Sequence, residues 1–152
     1  MTTDIIFNSA NLLVLPFWVL IIFLPNWKVT RKVMESLIPF VLLAVLYLYL
    51  LISSITPESA AALSNLTPSE IAQLFGEEQA AATGWIHFLV MDLFVGRWIY
   101  WEGQRTGIWT IHSIILCLLA GPFGLLSHIL TYWITRKFFS NSTENTTSTS
   151  TV

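Results

Sequence analysis

Charge is what this chain has least of. Only 11% of its 152 residues are charged, seven basic and nine acidic. Cations this few and scattered exclude a nucleic-acid footprint. Cysteine is nearly absent as well. Cys117 stands alone inside an apolar run, so no intrachain disulfide can form and it reads as a buried structural thiol. The three histidines lie far apart, which excludes the clustered histidine boxes of membrane di-iron hydroxylases. No Gly-rich phosphate loop, no cysteine cluster and no Ser-His-Asp arrangement is present. A haem would need two histidines at matching depth, and only His87 and His128 come near that. The expectation is therefore no metal and no cofactor, and acid–base chemistry in an apolar cavity. The opening MTTDIIFNSANLL lacks a basic n-region and a small-residue cleavage site. The first apolar span is expected to be retained, and the missing plastid-type leader favours a prokaryotic or organelle-encoded origin, or a chain of mature length.

What the chain has instead is apolar sequence. It is 55% hydrophobic, with a mean hydropathy of +0.69, which predicts an all-α integral membrane protein. Four windows approach the roughly 20 residues needed to cross the hydrocarbon core. They are about 5–24, 37–55, 83–101 and 111–133, the last interrupted by Gly121-Pro122 and Gly124. Between the second and third transmembrane helices, Thr67-Pro68-Ser69-Glu70 has the form of a capping box. It predicts a short amphipathic surface helix from Pro68 to about Ala82. Residues 1–139 then form a four-helix transmembrane domain, and the Ser/Thr/Asn tail, 140–152, is predicted to be disordered. Trp27, Trp85, Trp101, Trp109 and Trp133 fall near span ends, as in an aromatic belt.

Orientation follows from the cations. Lys28, Arg31, Lys32, Arg97 and Arg105 fall on one side, Arg136 and Lys137 on the other. That puts the short basic loops in the cytoplasm and both termini outside.

The third span is the most informative. Gly84 to Trp101 reads GWIHFLVMDLFVGRWIYW and carries His87, Asp92 and Arg97. An Asp or Arg near the bilayer centre costs roughly 2.5–3.5 kcal/mol, while the span's Leu, Ile, Phe and Val return about 2–5 kcal/mol in all. Such residues are kept for assembly or for chemistry. Depth along the four spans predicts an outer-to-central cluster of Asn8, Asn11, His87, Asp92 and His128. An inner cluster would hold Arg97, Glu102, Arg105 and His112. Residues 87, 92 and 97 each step about 140° around a helix, so they do not share one face. The plainer readings stand beside these. Asn8 and Asn11 serve as interhelical glue, Arg97 snorkels to headgroups, the histidines are satisfied core residues, and Asp92 accepts a structural hydrogen bond.

At His87-Phe88-x-x-x-Asp92-Leu93-Phe94-Val95-Gly96-Arg97-Trp98, and again at Ala120-Gly121-Pro122-Phe123-Gly124-Leu125-Leu126-x-His128, the chain resembles the neoxanthin-synthase-like (abscisic-acid-deficient-4-like) membrane family. The likeness covers roughly residues 5–137, and the length suggests a cyanobacterial member. The resemblance implies xanthophyll metabolism: in plants, conversion of violaxanthin to neoxanthin in a thylakoid or plastid-envelope membrane. That isomerisation opens an epoxide, removes a proton from the polyene and leaves an allene and a tertiary alcohol, with no net redox. It needs an acid and a base. Asp92 and His87 are the candidate pair, with Asn8, Asn11, Arg97 and His128 as binding or orienting groups. The implied partners are a carotenoid or other apolar polyene and membrane lipid; a homo-oligomer or a partner carotenoid enzyme stays open. Two other readings remain: a non-catalytic membrane assembly or stability factor, and a small proton-coupled transporter built around a central carboxylate. The membrane is expected to be thylakoid or plasma membrane.

Overall fold

The computed structural model describes residues 2–64 and 67–148, and no side chain at 58, 62, 63 or 138–148. Its described residues form eight helices and no strand: α1 (Thr3–Phe23), α2 (Lys28–Glu35), α3 (Ile38–Ser54), α4 (Pro57–Ser64), α5 (Pro68–Leu74), α6 (Glu78–Thr106), α7 (Ile111–Leu119) and α8 (Gly121–Ser148). The all-helical class is as the sequence predicts. The last residues of the expected tail, 149–152, lie outside the described residues. The chain divides into two compact units, Met1–Phe94 and Val95–Val152, and α6 runs through the boundary.

In the first unit, α1 buries Ile6, Ala10, Val14, Trp18 and Ile21. This three-to-four spacing makes one stripe. Its outward positions are apolar too, among them Leu12, Leu15, Val19 and Phe23. A helix apolar all round suits lipid or a deep core. α1 is the one described helix long and apolar enough to cross a membrane by itself; α2 and α3, bent by 46°, reach that length and hydropathy only when the two are counted as one broken segment. The other predicted spans fall short for identifiable reasons. His87, Asp92, Arg97 and a polar first turn dilute α6, and α7 has only nine residues.

The basic turn after α1 is a helix rather than a loop. α2 buries Thr30 and Met34 and turns its cations outward. The Thr30 hydroxyl donates to the Leu24 carbonyl at 2.7 Å, satisfying an oxygen that the end of α1 leaves open. The predicted surface helix is corrected in length. Thr67 does cap α5, accepting from the Glu70 N–H at 3.2 Å. But α5 ends at Leu74, and a turn through Phe75–Glu77 starts α6. A second cap went unread. Thr56 and Ser59 exchange backbone-to-side-chain bonds of 2.8 and 3.1 Å and start α4.

In the second unit, the segment predicted as one interrupted span is a helical hairpin. The chain is extended at Ala120 (φ −161°, ψ 93°) and α8 folds back along α7. His112 pairs with Thr131, Ser113 with Ser127, and Gly124 lies against the Cys117 backbone. The partners converge symmetrically on Ala120–Gly121, the signature of an antiparallel pair. Pro122 suits the first turn of α8, where its missing N–H costs nothing. Any Cβ on Gly124 would run into the Cys117 main chain, so glycine there permits the close approach.

Candidate functional site

The first unit holds an apolar cavity of about 340 Å³. α3 supplies Tyr47, Leu51 and Ile55, α5 supplies Leu74, and Phe75 follows it. α6 supplies Thr83, Gly84, His87 and Phe88. Gly84 is small because the Phe75 ring lies where its Cβ would be. The His87 ring sits 5.6 Å from Tyr47 and 6.2 Å from Phe88 between ring centroids. The Thr83 hydroxyl is turned away, donating to the Gln79 carbonyl at 2.7 Å. His87 is thus the cavity's imidazole, beside the Tyr47 phenol, on a wall that is otherwise mostly apolar with Ser54 and Ser59 at its edge. A volume at the lower end of ligand pockets fits one ring-sized end of a longer apolar molecule. A larger cavity of about 520 Å³ lies among Ser53, Thr56, Ser59, Glu70, Gln73 and Glu77. Its walls are polar and suit water better than a polyene.

The second unit holds a polar niche at the open end of the hairpin. His112 Nε2 lies 2.9 Å from Thr131 Oγ1 and 3.1 Å from Ser113 Oγ, which is 3.1 Å from Ser127 Oγ. Thr131 also donates to the Ser127 carbonyl at 2.9 Å. His128 is 2% exposed and stands edge-on to Trp98, 5.2 Å away at 90°. Trp98, Glu102, His128 and Tyr132 wall a small cavity of about 130 Å³. The Nδ1 atoms of His112 and His128 are buried without a hydrogen-bond partner. Glu102 is bound to Arg105 at 2.6 Å, and this hydrogen bond and its charge raise the Arg105 pKa above the ordinary guanidinium value.

The predicted residues separate accordingly. Asn8 is exposed. Asn11 is engaged: its amide donates to the Phe7 carbonyl at 2.8 Å, and its oxygen accepts from Trp85 Nε1 at 3.0 Å. It ties α1 to α6, as the interhelical-glue reading predicted. His87 is exposed at the cavity wall, and Asp92 and Arg97 are half-buried on α6. His87 and Asp92 are about 140° apart around that helix, so the two do not converge on one cavity. Of the predicted outer cluster, Asn11 is bonded to Trp85 and His87 lines the α3–α5–α6 cavity. His128 lies beside Trp98 and one turn from the level of His112, because the fourth segment turns back. Tyr47, Phe75 and Thr83 escaped the sequence reading, as did the Ser113–Ser127–Thr131 set. Tyr47 had left one sign, one of two aromatic hydroxyls, with Tyr49, in a span that is mostly aliphatic. Ser127 and Thr131 had left another, polar residues four apart on a helix that also carries His128.

The family model described as "ABA4-like: ABA DEFICIENT 4-like" matches residues 5–128, a stretch that contains every residue of both sites up to His128. "Protein ABA DEFICIENT 4, chloroplastic" of Arabidopsis thaliana is 42% identical over 131 residues, which cover 83% of this chain. The chain spans 60% of the length of that relative. No solved structure matches.

Proposed function

We propose that this chain, which belongs to the ABA DEFICIENT 4-like family, acts in carotenoid metabolism as a multi-pass membrane protein that takes the end-group of a xanthophyll into the α3–α5–α6 cavity. The observation that carries this reading is a cavity of about 340 Å³ walled mostly by aliphatic and aromatic side chains, with Ser54, Ser59 and Thr83 at its edge and one imidazole, His87, on its surface. Four apolar segments enter the membrane, the basic loops face the cytoplasm or its equivalent, and the membrane is thylakoid or plasma membrane.

The chemistry is the epoxide-opening isomerisation implied by the family resemblance. One C–O bond of the epoxide and one C–H bond of the adjoining polyene break, and an O–H bond and an allene form. Protons given and taken balance, so a single group can perform both transfers. The imidazolium of His87 protonates the epoxide oxygen, and the resulting imidazole accepts the polyene proton. General acid–base assistance of this kind contributes about 10²–10⁴-fold. Asp92, on another face of α6 and outside the cavity lining, serves helix assembly in this scheme, and Arg97 and His128 serve binding or assembly in the second unit.

The test is a pigment profile by liquid chromatography in a host deleted for its own copy. Restoring the wild-type chain should convert one carotenoid into an isomer of equal mass. His87→Ala should lose about 10²–10⁴ in rate while accumulating to the wild-type level, and Asp92→Asn should lose less. An unchanged profile on deletion would sink the metabolic reading and favour a non-catalytic assembly factor. Loss on deletion with full rescue by His87→Ala would remove His87 from the chemistry.

A further inference from the structure

The hairpin changes how often the chain crosses the membrane, an inference that rests on the membrane reading above. α7 has nine residues, about 13 Å of helix against a hydrocarbon core of roughly 30 Å. It reaches about halfway before Ala120 turns the chain around. The pairings His112–Thr131, Ser113–Ser127 and Cys117–Gly124 show that α8 retraces the path of α7. Polarity follows the same axis. The tip and its flanks expose Leu118, Leu119, Phe123 and Leu126, with Leu119 76% exposed. The open end gathers His112, Ser113, Ser127 and Thr131, whose polar groups bond to one another. The base also exposes Trp109, Leu130, Trp133 and Ile134 around that polar set, and a hairpin with aliphatic side chains at its tip and tryptophans at its base is shaped to enter a membrane tip first, from one face. Its base also lies against the last turns of α6. His128 packs on Trp98, and Tyr132 shares a cavity with Glu102. The chain beyond Thr131 therefore leaves beside the end of α6 from which it came.

We propose that residues 111–133 form a re-entrant hairpin, that the chain crosses the membrane three times, and that Thr2 and Lys137 lie on opposite sides. Counted along the chain, all seven of its cations then share one face: Lys28, Arg31, Lys32, Arg97, Arg105, Arg136 and Lys137. The conflict of five cations against two disappears, because Arg136 and Lys137 join the majority. The other face holds Asp4, Glu58, Glu70, Glu77 and Glu78 with no Lys or Arg. Such asymmetry is what the positive-inside bias selects, and it presents the cationic face to the anionic headgroups of the cytoplasmic leaflet.

The experiment is cysteine accessibility in intact bacterial cells expressing the full chain. In a Cys117→Ala background, one variant carries Thr2→Cys and another a cysteine appended after Val152. Each is exposed to a membrane-impermeant maleimide before and after permeabilisation. The expected result is labelling of the Thr2→Cys variant in intact cells, and of the appended cysteine only after permeabilisation. A cytoplasmic green fluorescent protein fused after Val152 should fluoresce, whereas alkaline phosphatase there should be inactive. Both termini on one side, or the reverse orientation, would overturn the proposal. Alkaline carbonate extraction separates the two levels. Release of the chain from the membrane would defeat the membrane reading itself, whereas a retained chain with Val152 outside would defeat the hairpin alone.

Discussion

Asn11 shows what a single polar residue in an apolar helix does here. Its carboxamide could have served a ligand, but both ends are spent, one on the Phe7 carbonyl and one on Trp85 Nε1. Hydrogen bonds between helices in membrane proteins average about 0.6 kcal/mol in double-mutant cycles. Asn11→Ala and Trp85→Phe, unfolded singly and together in detergent, should give a coupling of that order. A coupling indistinguishable from zero would mean that the contact does not hold α1 to α6. The Glu102–Arg105 pair should matter less. Arg105 is 67% exposed, and exposed pairs are screened and entropically costly. Glu102→Gln is expected to leave the thermal midpoint unchanged within error. Gly107 is a different case, because its φ of +72° is a conformation that side chains resist. Space is not limiting there. Gly107→Ala should cost roughly 1–2 kcal/mol through backbone strain alone, read as a lowered midpoint in the same unfolding assay.

Among the elements, α5 and the hairpin make opposite lessons. The cap of α5 was legible because Thr67-Pro68-Ser69-Glu70 encodes its own start, and Thr67 does accept from the Glu70 N–H. Its end was not legible. Phe75 leaves the helix to lie over Gly84, a contact nine residues away that no local pattern announces. Thr67→Ala should remove about 1 kcal/mol of local stability, seen as faster hydrogen exchange at the Glu70 amide while α1 is unaffected. In the hairpin, Gly121, Pro122 and Gly124 marked a break but not its direction. A kinked span and a full reversal use the same residues, and packing of Gly124 on Cys117 selects the reversal. Gly124→Val puts side-chain atoms into main chain that cannot give way. It should cost about 1–3 kcal/mol as an overpacking change, measured by the detergent unfolding midpoint. A smaller loss would mean that α7 and α8 separate easily.

At the scale of the whole molecule, the proposed membrane reading makes lipid the solvent of the outward helix faces. α1 and α3 carry Leu, Val and Ile on their outward faces as well as their inward ones, an arrangement water would penalise at about 25 cal/mol per Å² of apolar surface. The chain should stay with the membrane pellet through alkaline carbonate and leave it only with detergent. Its two units place the candidate groups unequally. His87 belongs to an apolar cavity suited to a substrate end-group, and His112 and His128 belong to a polar hairpin base. A profile in which His87→Ala abolishes conversion while His112→Ala lowers only protein abundance would match that division.

The sequence by itself determined the helical class, the places of the apolar segments, the Thr67 cap, and α6 as the helix that carries the ionisable groups. Each of these rests on hydrophobic content, short spacing or capping chemistry, which act over a few residues. Tertiary structure alone decided that Tyr47 and Phe75 build a cavity around His87, that Asn11 is taken by Trp85, and that His128 stands with Trp98. It also decided that the fourth segment turns back. Those outcomes depend on which surfaces meet across tens of residues, and a pattern of period 3.6 says which face is greasy without saying what covers it.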